Sequence, residues 1–236
     1  MSEHVITPGE RQGPQAKRTS SRSGKAKRQD PAEVRRRLVT AATQRFASHG
    51  FEGVNSNQIA RDAGVGVGTF YHHFQDKREV HQAVVLETLE ALQNRVAAQS
   101  ARAPDAPLED QVRDLVEVVV GFAEEIPAQF RVAFGGDGTA GLGARPQRTP
   151  LSGAAPGRAQ VGYSTRATER RLAALQAKGV LDPRLDPGVA ARAFVGMQNS
   201  VLCWWLEDPT RATREAIVET LFVLHPAIAA ANSNVT

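Results

Sequence analysis

The stretch Gly68-Thr69-Phe70-Tyr71-His72-His73-Phe74 places a hydroxyl, a phenol and two imidazoles in seven consecutive residues. Such groups can hold a metal, move a proton or donate hydrogen bonds to an anion. Neighbours on a helix point about 100° apart, so His72 and His73 do not converge on one ion, and His49 and His81 add no metal-binding pattern. No metal and no cofactor are expected. Cys203 is the single cysteine and lies beside Trp204 in an apolar stretch, which reads as a structural thiol rather than a nucleophile. The glycine-rich run from Gly135 to Gly143 lacks the Gly-Lys-Ser/Thr ending of a phosphate loop. No acid, base and nucleophile set converges anywhere, so an enzyme is not expected. Hydrogen bonding to an anion is the chemistry left.

Charge agrees with that reading. Residues 11–80 hold 14 Lys/Arg against 6 Asp/Glu, a net of +8, whereas residues 81–236 hold 15 against 17. A basic first third suggests a polyanionic partner, and a merely solvated basic tail fits the same count. One cysteine excludes an intramolecular disulfide framework and suits a reducing, cytoplasmic setting. No apolar run is long enough for a membrane span, and no hydrophobic segment follows the basic start as in a signal peptide.

The elements that must position these groups are helical throughout. Residues 1–29 lack an apolar period and read as a disordered basic arm carrying Lys17, Arg18, Arg22, Lys25, Lys27 and Arg28. A first helix starts at Asp30 as cap, with Pro31 at the first turn and Glu33 closing a capping box. Val34, Leu38, Ala42 and Phe46 follow at helical spacing, and Gly50 ends it. Asn55 with Gln58 marks a second capping box. Ile59, Ala60 and Ala63 form that helix's buried face, and Gly64 stops it. A third helix runs from Gly66 or Val67 to Phe74, and Asp76 caps a long fourth one.

Further on, Pro107 to Ile126 reads as a helix and residues 135–160 as a long loop rich in Gly and Pro. Helix resumes near Thr165 and stops at Gly179. Two more helices, 186–207 and 210–229, are joined by a tight turn. The fold class is therefore all-α. A helix-turn-helix domain spans 30–76 and a larger helical domain spans 77–236.

Helix, glycine turn and short helix make the spacing of a helix-turn-helix. Phe70 and Phe74 face its core, leaving Val67, Gly68, Thr69, Tyr71, His72 and His73 on or near the outer face. On Ile59-Ala60, Ala63-Gly64-Val65, Gly68-Thr69-Phe70-Tyr71-His72-His73-Phe74 and Lys77, the segment 30–86 resembles the N-terminal domain of TetR-type transcriptional regulators. The last two helices, with Trp204-Trp205 ahead of Leu206-Glu207-Asp208-Pro209, are similar to that family's dimerising pair.

The resemblance implies roles. Asn55 would cap the second helix and touch a phosphate. Thr69, Tyr71, His73 and Lys77 would hold the DNA backbone, while Asn57, Val67, Gly68 and His72 would face base edges. The third helix offers no Arg, Lys, Asn or Gln for direct readout, so the arm and DNA shape carry more of the task. The implied protein is a homodimer, formed by helices 186–207 and 210–229, on a double-stranded palindromic operator. It would act as a repressor released by a small-molecule effector. Phe122, Phe130, Phe134, Tyr163, Met197, Asn199 and Trp204 are candidates for the effector cavity, and each also fits a plain core position. A protein that coats DNA without regard to sequence is the alternative, and a helical enzyme the more distant one.

Overall fold

The computed structural model describes Met1, residues 30–135 and residues 156–228, with only the backbone for 156–164. The basic arm, most of the expected long loop and the last residues lie outside that set. Among the described residues the regular structure is helical: α1 (Pro31–His49), α2 (Ser56–Asp62), α3 (Val67–His73), α4 (Lys77–Arg102), α5 (Leu108–Glu125), α6 (Pro127–Phe134), α7 (Pro156–Ala177), α8 (Pro187–Glu207) and α9 (Arg214–Val223).

Two cores share α4. Val34, Leu38, Ala42 and Phe46 of α1 close over Ile59 and Ala60 of α2, Phe70 of α3, and Val80, Ala83 and Val84 at the start of α4. From the very next residue, Val85, Leu89 and Leu92 enter a second core with α5, α6, α8 and α9. The helix that begins at the expected boundary, residue 77, thus serves both cores. Helix α6 is shared likewise, since Val132 reaches the first core while Phe130, Ala133 and Phe134 lie in the second. A third cluster joins Val112, Leu172, Leu181, Ala191 and Phe222. Burial of these apolar side chains, at about 25 cal/mol per Å² removed from water, is the main source of stability.

Several local expectations shift. Asp30 caps α1 through Ala32 N at 3.1 Å, but Glu33 pairs with Arg36 instead of closing a box. Helix α7 begins at Pro156 rather than near Thr165. A separate short helix, α6, follows Ile126 because Pro127 starts a new first turn. The expected helix 210–229 is broken. Pro209–Arg211 forms one 3-10 turn, and Thr213 then caps α9 by accepting Ala216 N at 3.2 Å. The chain turns again at Leu224. Trp205 fixes the first break, because its indole N–H donates to the Ala212 carbonyl at 2.9 Å.

Candidate nucleic-acid interface

The helix-turn-helix is assembled by a few polar contacts around an apolar centre. Asn55 Oδ1 accepts Gln58 N at 3.0 Å and Gln58 Oε1 accepts Asn55 N at 2.9 Å, so the expected box at α2 is formed. Gly64 turns with φ of 65°, the left-handed region that costs other residues about 1–2 kcal/mol. The carbonyls left over at the end of α2 then need donors. Arg37, reaching across from α1, donates to the Ala63 and Gly64 carbonyls. A second bridge, Arg45 to Asp62, ties α1 to the same end of α2. The Arg45 guanidinium holds the Asp62 carboxyl below the usual carboxylate range. Neither arginine stands out in the sequence; Arg37 and Arg45 lie on α1, and nothing in their spacing shows that they reach α2.

The geometry of α3 follows from its two rings. Phe70 is fully buried and Phe74 nearly so. The opposite side faces solvent: Tyr71 is 54% exposed and Val67 41%, with Gly68 and His72 also exposed. Thr69 and His73 are half-buried at the edges. The Tyr71 ring stands edge-on to Phe70 at 5.3 Å, and the His72 and His73 rings meet edge-on at 5.6 Å. The cap Gly66 makes no side-chain bond to α3. Asn55 and Asn57 on α2 are exposed as well. The α2 and α3 segment therefore exposes a phenol, an imidazole, two amides and a side-chain-free backbone at Gly68, groups suited to phosphates and base edges.

Lys77 is engaged within the protein. Its ammonium donates to the Phe51 carbonyl at 2.9 Å, sits 4.3 Å from the Phe51 ring centre and lies 3.5 Å from Glu52. The first turn of α4 is also capped from inside, since Asp76 Oδ1 accepts the N–H groups of Arg78 and Glu79. Any phosphate at this corner would share donors that the fold already uses. Lys17, Arg18, Arg22, Lys25, Lys27 and Arg28 lie outside the described residues.

The candidate effector residues are scattered. Phe122, Phe130 and Phe134 are buried in the second core, with the last two rings 4.5 Å apart. Met197 packs against that core and Asn199 is half-buried. Trp204 is 47% exposed, with Arg211 across its ring. The side chain of Tyr163 is outside the described residues. None of these lines a cavity of about 380 Å³ that lies among the end of α1, α4, α6 and α8. On the expected dimer helices, Phe194, Trp205, Ile217 and Leu221 are buried within the protomer, whereas Val189, Trp204, Val223 and Leu224 are exposed. Among the described residues no helix is long and apolar enough to cross a membrane.

Residues 38–84 match the family of bacterial regulatory proteins described as the tetR family. An HTH-type transcriptional regulator of Staphylococcus aureus is 36% identical over 63 residues, 27% of this chain and 34% of that protein. The match thus spans about a third of the curated relatives' length. A bacterial regulatory protein in the tetR family from Rhodococcus RHA1 shares the fold with a TM-score of 0.65 at 21% identity, over 83% of this chain and 96% of that one. AibR, solved with isovaleryl coenzyme A and operator DNA, gives 0.62 at 19% identity, over 82% and 98%. The fatty acid degradation regulator FadR of Bacillus halodurans gives 0.58 at 18%, over 81% and 94%.

Proposed function

We propose, because residues 38–84 match the tetR family of bacterial regulatory proteins, that this chain is a DNA-binding transcriptional regulator rather than an enzyme. In this reading it binds a palindromic operator as a homodimer and represses until a small molecule releases it. The observation that carries the reading is the exposed side of α3, with Tyr71, His72, Val67 and Gly68 turned out by the burial of Phe70 and Phe74. Tyr71, Thr69 and His73 serve the DNA backbone, and Asn57, Val67, Gly68 and His72 serve the base edges. Asn55 keeps its cap bond and has an amide N–H for a phosphate. Lys77 supports the corner and reaches a phosphate only by sharing its bond to Phe51.

The dimer surface in this reading is the exposed side of the last two helices. Val189, Ala193, Ser200 and Trp204 lie along one exposed side of α8, and Ala216, Thr220, Val223 and Leu224 along α9. Apolar side chains left in water on both elements suit a partner of the same kind. The basic arm adds phosphate contacts. Each phosphate neutralised contributes roughly 0.9 to the salt slope, so three or four contacts per subunit add about five to seven units for a dimer. AibR, crystallised with both an acyl coenzyme A and operator DNA, supports a ligand-responsive scheme for a chain of this fold.

The test compares full-length protein with protein lacking residues 1–28 on one operator across a salt series, beside Val189→Glu with Val223→Glu in sedimentation. The reading expects a shallower slope without the arm and a folded monomer from the paired charges. Superimposable slopes contradict the arm, and an unchanged dimer contradicts the surface.

A further inference from the structure

The cavity among α1, α4, α6 and α8 has a chemistry of its own, apart from the DNA-binding and dimer surfaces. It is walled by Phe46, Phe51, His81, Arg131, Cys203 and Glu207, which come from α1, the turn after it, α4, α6 and α8. We propose that this cavity binds a small aromatic carboxylate, with its ring against Phe46, Phe51 and His81 and its carboxylate on Arg131, and that occupancy there weakens the hold on DNA. The regulatory half of this inference rests on the proposed regulator function; the binding half stands without it.

Size and wall come first. About 380 Å³ falls at the lower end of small-molecule sites, which run roughly 300–1,000 Å³. The Phe46 and Phe51 rings stack with centres 5.7 Å apart, and His81 stands edge-on to them at 5.1 and 5.2 Å. Such a wall offers a further ring the offset and edge contacts that aromatic groups favour.

Charge then selects an anion. Glu207 also lines the cavity, but Arg211 pairs with it at 3.1 Å. Burial holds His81 below its ordinary pKa, so it is neutral near pH 7. Burial pushes the Cys203 thiol up to about 11, so it is neutral too and is no competing anion. Arg131 is left as the cavity's cation without a carboxylate partner among the described residues. A planar guanidinium matches a carboxylate in two parallel bonds.

The coupling runs through Phe51. Phe51 is also held by Lys77, whose ammonium donates to its carbonyl and lies 4.3 Å from its ring centre. Lys77 opens α4 just after α3 ends at His73, so the corner that sets the tilt of α3 is tied to the cavity wall. A ligand changes DNA affinity only if it prefers one arrangement of that corner. A wall shared by the two domains is where such a preference arises.

The single cysteine makes occupancy measurable. Phenylacetate, benzoate and 3-phenylpropionate are tested for protection of Cys203 from N-ethylmaleimide under mildly alkaline conditions, with phenylacetamide as the neutral counterpart. A ligand at ten times its dissociation constant slows alkylation about tenfold. The proposal expects that protection from at least one acid, at least tenfold weaker binding of the amide, and loss of the acid's advantage in Arg131→Gln. Arg131 is half-exposed, so circular dichroism should show that variant folded. No protection by any of the acids, or equal protection by acid and amide, overturns the site. The same acid should lower affinity for a selected operator in the wild type and not in Arg131→Gln. Protection with operator affinity unchanged overturns the coupling. Protection in a protein that selects no operator leaves the site standing and removes the proposed function instead.

Discussion

The two halves of α4 lie in different cores, and the parts of the chain around those cores differ in how they compare with known proteins. A stretch of 63 residues matches curated relatives at 36% identity, and residues 38–84 match a family of bacterial regulatory proteins. The whole chain matches solved structures over four-fifths of its length at only 18–21% identity. Under the proposed function, the part of the chain around α2 and α3 must present particular groups to a duplex, whose backbone is the same for every DNA-binding protein. In that reading its residues are bound to type as well as position: Gly64 holds the left-handed turn, Phe70 is buried, and Tyr71 would reach a phosphate. The second core has only to pack helices against one another, which many apolar sequences of the right period accomplish.

The largest effect that sharpens this contrast comes from two glutamates on α9. Leu221 is fully buried and Val223 is 46% exposed. Leu221→Glu should cost more than about 3 kcal/mol in urea unfolding, because it loses packing and buries a carboxylate. Val223→Glu should leave stability within about 0.5 kcal/mol and weaken only the dimer. Equal losses would mean that α9 is not sided as described.

Next in size, Gly64→Ala should cost about 1–2 kcal/mol for the left-handed backbone alone. A Cβ there would also stand 2.8 Å from Arg37 Nη2 and disturb the clamp on the turn. DNA binding should fall while dimerisation persists; a loss of both together would mean that the domains do not separate in this way.

A pH series probes the second domain. His225 is buried against Phe194 and near Arg171, and burial first, then that guanidinium, lowers it from 6.5 to about 4. Between those values the unfolded chain holds more protons than the folded one, so stability falls as pH drops through that window and is level above it. His81 adds to the same slope, since its burial acts in the same direction. Removing the imidazole in His225→Asn should flatten the slope even if it lowers the plateau; an unchanged slope would locate the titration elsewhere.

Smaller still, Gly68→Leu should gain up to about 0.8 kcal/mol of helix propensity, because a Cβ at Gly68 meets nothing within 4 Å. Operator binding should nonetheless drop by a factor of about ten or more, as for a lost base contact of 1–3 kcal/mol. Affinity unchanged would place Gly68 away from the groove. Gly66→Ser, whose Cβ would meet only Thr69 Oγ1 at 3.8 Å, should add a few tenths of a kcal/mol by capping α3.

Legibility in the sequence divides along the same line. The α2–turn–α3 unit was legible because local signals, the Asn55–Gln58 box, Gly64 and the Phe70/Phe74 spacing, all agree. The set of residues turned outward on α3 came with it. Arg37 was not legible, because its partners lie 26 and 27 residues away and an arginine on α1 has many possible uses. The same holds for Lys77, whose bond to Phe51 depends on how α4 meets the end of α1. In the second domain the apolar period marked helices but did not separate core from cavity or interface. Phe122, Phe130 and Phe134 went inside, Trp204 stayed out, and the cavity formed at Phe51 and Arg131, whose local sequence carries no such signal. Helix ends set by a tertiary bond, such as Trp205 to Ala212, were beyond reach for the same reason.

The most direct test of the central claim is selection of bound DNA from a random duplex pool by the full chain. Enrichment of an inverted repeat, with half-sites separated by about one helical turn or a multiple of it, is the expected result. Retained DNA with no sequence enriched over the starting pool would contradict the account and leave a protein that coats DNA without reading it.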